Sequence, residues 1–546
     1  MTIQESEALI ASLLNPDLYD HPVKDFDLIE THISWVLLTG EFAYKIKKPL
    51  NLGFLDFSTL QKRKDCCTAE LRLNRRLAKD LYLDVVTITG DIDHPCLAGT
   101  DTPIEYAVKM RQFDQGALLS ELARKNRLTA GMIDEAAWMT ARFHERLPPA
   151  PAGSQFGVPD QIQHFTQENF LQISPFTTDE ETLKHIEHVQ AWANAERLRC
   201  DDALLSRKKQ GMIRECHGDL HLGNLVIWQD KIQAFDCIEF NEALRWIDVM
   251  SETAFMVMDL SDRGHPELAD RFLNTYLHWT GDYTGLTVLP YYLAYRAMVR
   301  AKVAMLRLSE GGLSKVAQAE LSSEFHAYLK FANDTTRKRK GWLLITHGLS
   351  GAGKSTVAGY LARSLGAIQI RSDIERKRLF GYRPTDESHS GQSAGIYTHE
   401  ANRKTYEQLA MLSYTIIDAG WPVIVDAAFL KSEQRAQFKS ICRSLPIPFA
   451  MLSVSATDEV LRQRISQRMA KGDDASEAGM DILDRQMHAI ESLTDEEAMQ
   501  AIAVTGTSPK DLVHALEQVT RQLGIHGGRL DGPCTPSPTD SVDDGH

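Results

Sequence analysis

Residues 348–356 read "GLSGAGKST". They follow a short apolar run, Trp342 to Ile345, and precede a helical pattern with apolar residues at Val357, Leu361 and Leu365. Strand, glycine-rich turn and helix in that order are the context that the spacing G-x-x-x-x-G-K-[ST] requires. Gly348, Gly351 and Gly353 let the backbone fold through Leu349, Ser350 and Ala352 so that its N–H groups and the helix N-terminus converge on an anion. Lys354 then reaches the β- and γ-phosphates of ATP, and the hydroxyl of Ser355, next to Thr356, ligates Mg²⁺.

Two later strand patterns, "GAIQIRSD" and "WPVIVDAAF", end in Asp373 and Asp426. In an open parallel sheet ligands sit outside the carboxyl ends of the strands, so both carboxylates border the cradle. One holds Mg²⁺ through water and the other accepts a proton from a substrate hydroxyl; either can instead cap the helix that follows. In "EVLRQRISQRMAKGDDASEA" Arg464 and Arg468 stand one turn apart on one helical face. That face is either a lid over transferring phosphates or an exposed surface paired with carboxylates.

Some 130 residues earlier, "CHGDLHLGNLVIWQDKIQAFDCIEF" places an Asp, an Asn five positions on, two short apolar segments around a polar turn, and a second Asp. Phosphoryl transfer needs those groups: Asp219 to orient and deprotonate a hydroxyl, Asn224 and Asp236 to hold Mg²⁺. A short hairpin between the two ligands brings them together. His221 reads as a loop residue, since it has no partner at metal-ligand spacing.

The stretch 341 to about 525 resembles the small P-loop kinases, the group of polynucleotide kinase, gluconate kinase and chloramphenicol phosphotransferase. The resemblance runs through "GLSGAGKST", "RSDIERKRLFG", "VIVDAAFL" and the Arg-rich lid. It implies Asp373 as substrate contact or general base and Arg376 as a substrate or phosphate contact. Residues 25 to about 330 resemble the aminoglycoside phosphotransferase and choline kinase group, whose catalytic loop reads H-x-D-x-x-x-x-N. His217, Asp219 and Asn224 fit it, Asp236 stands at the place of the kinase D-F-G aspartate, and Asp248 matches a later structural aspartate. The resemblance also implies an ATP-binding lysine with a glutamate partner upstream. "EFAYKIKKPL" puts Lys45 and Lys47 on one strand face; the resemblance aligns "AYK" with the family's lysine strand and selects Lys45, with Lys47 as the alternative. Glu70 in "CTAELRLNRRLA" takes the glutamate position. Upstream of Lys45 there is no G-x-G-x-x-G, only Gly40 in "LLTGEF", and "EYAVKMRQF" reads as the strand entering the hinge that meets adenine.

These readings predict two domains of unlike architecture in 546 residues. A helical segment (1–24) precedes a bilobal protein-kinase-like α+β domain (25–334, lobes meeting near 112). A linker (335–340) leads to a parallel-sheet α/β P-loop NTPase domain (341–526) and a disordered tail (527–546). The net charge of −14 argues against a broad nucleic-acid footprint, and no stretch reaches the roughly 18 uninterrupted apolar residues of a membrane helix. The eight cysteines show no C-x-x-C pair, which reads as reduced packing residues in a cytoplasmic protein. In "YYLAYRAMVRAKVAML", Arg296, Arg300 and Lys302 either contact an anionic substrate or form solvated faces. The expectation is a bifunctional, ATP- and Mg²⁺-dependent phosphotransferase for small hydroxylated molecules, and nothing in the sequence sets an oligomeric state. The alternatives are a nucleic-acid 5′-hydroxyl kinase in the P-loop half, or one domain sensing nucleotide to regulate the other.

Overall fold

A computed structural model describes residues 1–53, 55–177, 179–309, 312–388, 395–471 and 479–525. The tail expected over 527–546 lies outside the described residues. The chain forms two compact units. Unit 1 comprises Met1–Leu128, Arg142–Arg263 and Tyr295–Leu329, and unit 2 comprises Thr129–Ala141, Gly264–Ala294 and the chain from Lys330 onward. The sequence reading places 129–141 and 264–294 within the first kinase domain, whereas by contacts they pack with unit 2.

Unit 1 begins with a six-stranded antiparallel sheet. Its strands are β1 (Asp27–Glu30), β2 (Ser34–Leu38), β3 (Phe42–Lys47), β4 (Tyr82–Gly90), β5 (Pro95–Leu97) and β6 (Glu105–Arg111), in the order β1-β2-β3-β6-β4-β5. The β2–β3 turn is centred on Gly40, whose φ of 93° lies in the region that glycine adopts without strain. Alternation along β3 sends Tyr44 and Ile46 into a core with Trp35, Leu37 and the N-terminal residues Leu9 and Ile10. Lys45 and Lys47 therefore face the other way, toward the helix Leu60–Asn74 that carries Glu70.

The rest of unit 1 is mainly helical and surrounds the helix Val249–Asp262, whose residues 249–260 are all buried. A helix buried on every side is a core helix, and its N-terminus is capped by Asp248, which accepts a bond from the Met250 amide at 2.8 Å. Arg207 grips the same carboxylate with two bonds of 2.7 Å. Two small ladders flank the loop that carries Asp219: β7 (Ile213–Glu215) with β10 (Trp246–Asp248), and β8 (Leu225–Trp228) with β9 (Lys231–Ala234). Gln229 and Asp230 join β8 to β9 with φ of 51° and 59°, the two-residue turn whose twist matches a tight hairpin.

Unit 2 holds a five-stranded parallel sheet: β11 (Leu343–His347), β12 (Ile368–Arg371), β13 (Val423–Asp426), β14 (Phe449–Val454) and β15 (Ala501–Val504). The order is β12-β13-β11-β14-β15, so the chain reverses its direction of winding at β11 and opens a crevice at that strand's carboxyl end. β11 and β13 are buried throughout, as strands covered on both faces must be. The helix Lys354–Leu365 lays Val357, Ala358, Leu361 and Ala362 on the sheet. This is the P-loop NTPase arrangement, and unit 1 has the lobes of a protein-kinase-like fold.

An edge strand presents unpaired backbone groups, and β12 is such an edge. The helix Pro266–Thr280 covers it with side chains. Asn274 donates to the Ala367 carbonyl at 3.1 Å and accepts from the Gln369 amide at 2.7 Å. His278 donates from Nε2 to the Gln369 carbonyl at 2.8 Å. Trp421 donates to the Leu286 carbonyl, and Tyr283 donates to Glu375.

Burial, with Arg371 and Arg378 adding to it, pushes His278 down from 6.5 to about 3. An unfolded histidine takes its proton near 6.5 while the folded one does not, so the unfolded state binds more protons across that window. Stability from this group is complete above about pH 6.5 and declines as pH falls toward about 3. Urea unfolding of the full chain followed across that range is expected to show a falling midpoint for unit 2, and His278→Gln a flatter dependence. An unchanged slope in the variant would assign the acid sensitivity to other groups.

Candidate active sites

In unit 1 the carboxylate of Glu70 stands between two ammonium groups. Lys45 Nζ lies 2.9 Å from one oxygen and Lys47 Nζ 2.7 Å from the other. Lys45 also bonds Asp236, and Lys47 bonds Glu239. The two lysines are thus distinguished by depth: Lys45 meets Asp236, whose side chain is 44% exposed, whereas Lys47 and Glu239 are buried. Although burial opposes their charge, the surrounding carboxylates raise both lysines, so both remain ammonium groups. Lys45 and Lys47 hold Glu70 low against its own burial, while burial raises Glu239 despite Lys47. Two cations thus face three carboxyl groups, and Asp236 is the one that solvent reaches.

The loop 217–224 closes against this cluster. Asn224 donates to the Asp219 carbonyl at 2.9 Å and to its carboxylate at 3.0 Å, while His221 Nε2 lies 3.5 Å from the same carboxylate oxygen. Burial pushes Asp219 up, but His221 and Arg300 outweigh it and hold the carboxyl below its usual range. His217, which burial keeps low, donates from Nε2 to the Phe235 carbonyl at 2.9 Å and so ties the loop to the residue before Asp236. Asp236 has a φ of 62°, an unfavourable conformation for a side chain with a Cβ, which the Asp236 amide's bond to the Tyr82 hydroxyl and the Cys237 amide's bond to Asn74 both fix.

The core helix holds the loop's backbone. Glu252 accepts from the Gly218 amide at 2.6 Å, the His217 amide at 3.2 Å and His144 Nε2 at 2.8 Å. Two turns on, Asp259 accepts from the Leu222 amide at 2.9 Å. Arg296 donates to the Gly218 carbonyl at 3.0 Å and lies over Phe255. It is a buried loop clamp, which corrects the solvated-face alternative. Arg300 pairs with Glu324 at 3.0 Å and adds positive charge near Asp219. Lys302 is half-buried, and burial lowers its ammonium group. Ligand atoms of His144, Cys216 and Glu252 lie within 4.8 Å of one another, but both Glu252 oxygens already serve the loop.

In unit 2 the glycine-rich turn follows β11. A Cβ on Gly348 would stand 2.1 Å from the Val454 carbonyl oxygen, and Gly353 starts the helix Lys354–Leu365 with a φ of 99°. Side chains occupy the polar groups of the turn: Gln486 accepts from the Ser350 amide at 2.8 Å, and Lys354 donates to the Leu349 carbonyl at 2.8 Å. Arg464 donates to the Ala352 carbonyl at 3.1 Å and to the Thr507 hydroxyl at 3.1 Å, which fastens its helix to the turn. Arg468, one turn on, adds positive charge near Lys354, and burial lowers that lysine. Part of the expected lid, 472–478, lies outside the described residues.

Asp426 ends β13 and is buried, and burial raises its carboxyl against the pull of Arg371, Ser355 and Lys354. Gln369 donates to it at 3.2 Å, and Arg371 Nε lies 3.6 Å away. Asp373 sits in the first turn of the helix Ser372–Leu379, close enough to Lys354 and Asp426 to act on both. Arg376 is buried and bonds the Ile396 carbonyl and Asn402, so it shapes the wall beside Asp373. The sequence did not point to Glu239, Glu252, Gln369 or Gln486. Only Glu252 had a local signal, one helical turn after the cap Asp248.

Residues 343–493 match the AAA_33 family model, an AAA domain. Uncharacterized proteins of Mycobacterium bovis and Mycobacterium tuberculosis are each 28% identical over 463 residues, covering 84% of this chain and 89% of the relative. Among solved structures, a choline kinase from Cryptosporidium parvum covers 61% of this chain and 96% of its own, at 14% identity and a TM-score of 0.37. A gluconokinase from Sinorhizobium meliloti covers 34% and 98%, at 20% identity and a TM-score of 0.25. The sheet order and the glycine-rich turn of unit 2 agree with the match to an AAA domain. No described helix is long and apolar enough to cross a membrane.

The Glu252 carboxyl is raised by burial and lowered more strongly by His144, His217 and the Gly218 amide, to about 2. Glu252→Ala leaves two buried amides without an acceptor. It is expected to destabilise unit 1 by about 2–3 kcal/mol, read as a lowered denaturant midpoint. A midpoint within about 0.5 kcal/mol of wild type would show that water replaces the carboxylate freely.

Proposed function

We propose that both units transfer the γ-phosphoryl group of ATP to hydroxyl groups of small molecules, in the cytoplasm. The observation that carries this reading for unit 1 is the convergence of Asp219, Asn224, Asp236, Lys45 and Glu70. Lys45 orients the α- and β-phosphates and is itself oriented by Glu70. The acceptor oxygen bonds to the γ-phosphorus as the bond to the β,γ-bridging oxygen breaks. ADP leaves, and the hydroxyl proton passes to Asp219, which is ionised for that role.

Carboxylate and amide oxygens suit a hard divalent cation, and Asn224 and Asp236 would hold Mg²⁺ there. Ser355 and Asp426 would do so in unit 2, where Asp373 is the base. When bound, Mg²⁺ supplies charge neutralisation on the phosphates. In unit 2 the amides from Gly348 to Thr356 and Lys354 take the phosphates, and Arg464 and Arg468 close beside them. Gln486 and the Leu349 carbonyl then act as stand-ins that satisfy the cradle until phosphate replaces them.

Products formed from ATP and a pooled metabolite extract, identified by mass spectrometry, test the reading. Asp219→Asn is expected to remove one phosphorylated product at least a hundredfold while ATP still binds. Lys354→Ala is expected to remove a second and to weaken nucleotide binding in unit 2 about tenfold or more. Survival of both products in both variants would refute the assignment, and a single product lost in one variant alone would recast the other unit as a nucleotide sensor.

A further inference from the structure

The helix Met480–Ala489 touches the glycine-rich turn of unit 2 through Gln486, whose Oε1 accepts from the Ser350 amide at 2.8 Å. Its Nε2 has no protein partner among the described residues. A carboxamide therefore stands beside the cradle with its acceptor engaged and the two donors of its NH₂ open. The spacing G-x-x-x-x-G-K-[ST] does not account for this group, because Gln486 follows Ser350 by 136 residues.

The helix that carries Gln486 is docked along its length. Leu483, three residues earlier and so on the same face, is buried in the core that also holds Ala352, Leu461 and Ile465. Met480 and Met487 pack against that core, and Arg462 donates to Asp484 at 2.7 Å. Just past the helix, the Glu491 amide donates to the Leu430 carbonyl at 2.9 Å. The Glu491 carboxylate accepts from the Ser432 amide at 2.7 Å and from Lys431 at 3.1 Å. Held on both sides, the backbone of Gln486 keeps its place when the cradle fills, and only the end of the side chain has to respond.

A phosphate oxygen on the Ser350 amide takes the place of Oε1, and Oε1 left facing that oxygen would put two acceptors in contact. The terminal torsion of glutamine is broad and roughly two-fold, so half a rotation exchanges Oε1 for Nε2 without moving the chain. The NH₂ group then donates to an ionised oxygen, one of the stronger kinds of hydrogen bond. A carboxylate, which only accepts, and an ammonium, which only donates, each serve one of the two states. We propose that Gln486 is a phosphate-binding residue of unit 2, which accepts from the Ser350 amide in the empty cradle and donates to the nucleotide phosphates in the filled one. Lys354 and Arg464 differ from it, because each is a donor in both states.

The proposal rests on reading the turn as a nucleotide cradle, so the two are tested apart. Adenylyl imidodiphosphate, a non-hydrolysable ATP analogue, is titrated with Mg²⁺ into the full chain by calorimetry, and the binding that Lys354→Ala removes is assigned to unit 2. If Lys354→Ala removes none, the cradle is overturned and the role of Gln486 with it. At the site so assigned, Gln486→Ala is expected to weaken binding about tenfold. Gln486→Glu is expected to weaken it about a hundredfold, since it cannot donate and its charge faces the phosphates. Gln486→Lys, which donates but cannot accept, is expected to stay within about threefold of wild type or to bind more tightly. A mere tether between helix and turn gives the opposite order, because Glu accepts the Ser350 amide as well as Gln does and Lys cannot. Wild-type affinity in Gln486→Glu, a loss in Gln486→Lys as large as in Gln486→Ala, or unweakened binding in Gln486→Ala would each overturn the proposal and leave the cradle standing.

Discussion

Two carboxylates seven residues apart on one buried helix hold the loop that carries Asp219. Glu252 takes the amides of His217 and Gly218, and Asp259 takes that of Leu222. Seven residues are two helical turns, so both project from one face and meet the loop at two points of its length. A buried amide without an acceptor costs as much as a lost hydrogen bond, and an ionised buried carboxylate costs more unless several donors surround it. Each group therefore requires the other, and the loop conformation follows. Arg296 completes the clamp from the carbonyl side of Gly218.

The same constraint shapes the cluster around Glu70. A single lysine would leave one of its oxygens facing the apolar interior; Lys45 and Lys47 supply a donor to each. The second lysine then needs its own anion, and Glu239 provides it three residues after Asp236. The chain of charges ends at Asp236, the member most open to solvent. In unit 2 the logic is inverted. There the cradle is rich in donors, and neutral side chains such as Gln486 satisfy it without the charge that would compete with phosphate.

What the sequence made legible were features whose geometry is set over a few residues. The turn at 348–356, the hairpin between Asn224 and Asp236, and the alternation that puts Lys45 and Lys47 on one face are all of this kind. Glu239, Gln369 and Gln486 were not legible, because their roles depend on partners far away in the chain. Arg296 looked like a substrate contact or a surface residue because arginine is rarely buried; its burial depends on a carbonyl 78 residues away that only the fold supplies. Nor did any local pattern tell the helix Pro266–Thr280 from the others of its region.

That helix belongs with unit 2 for a reason of backbone chemistry. β12 is the last strand of its sheet, with nothing beside it to take the amide of Gln369 or the carbonyls of Ala367 and Gln369. Natural sheets cover or charge such an edge because a bare one recruits other chains. Here Asn274 and His278, one helical turn apart, act as two residues of a missing strand. Side chains reach farther than a backbone neighbour would, so the helix stands off from the strand. A paired strand at that edge would have left no such room. A cavity of about 280 Å³ beside Ser355 is thus a consequence of how the edge is closed, and Asn274 and His278, which close it, also line the space.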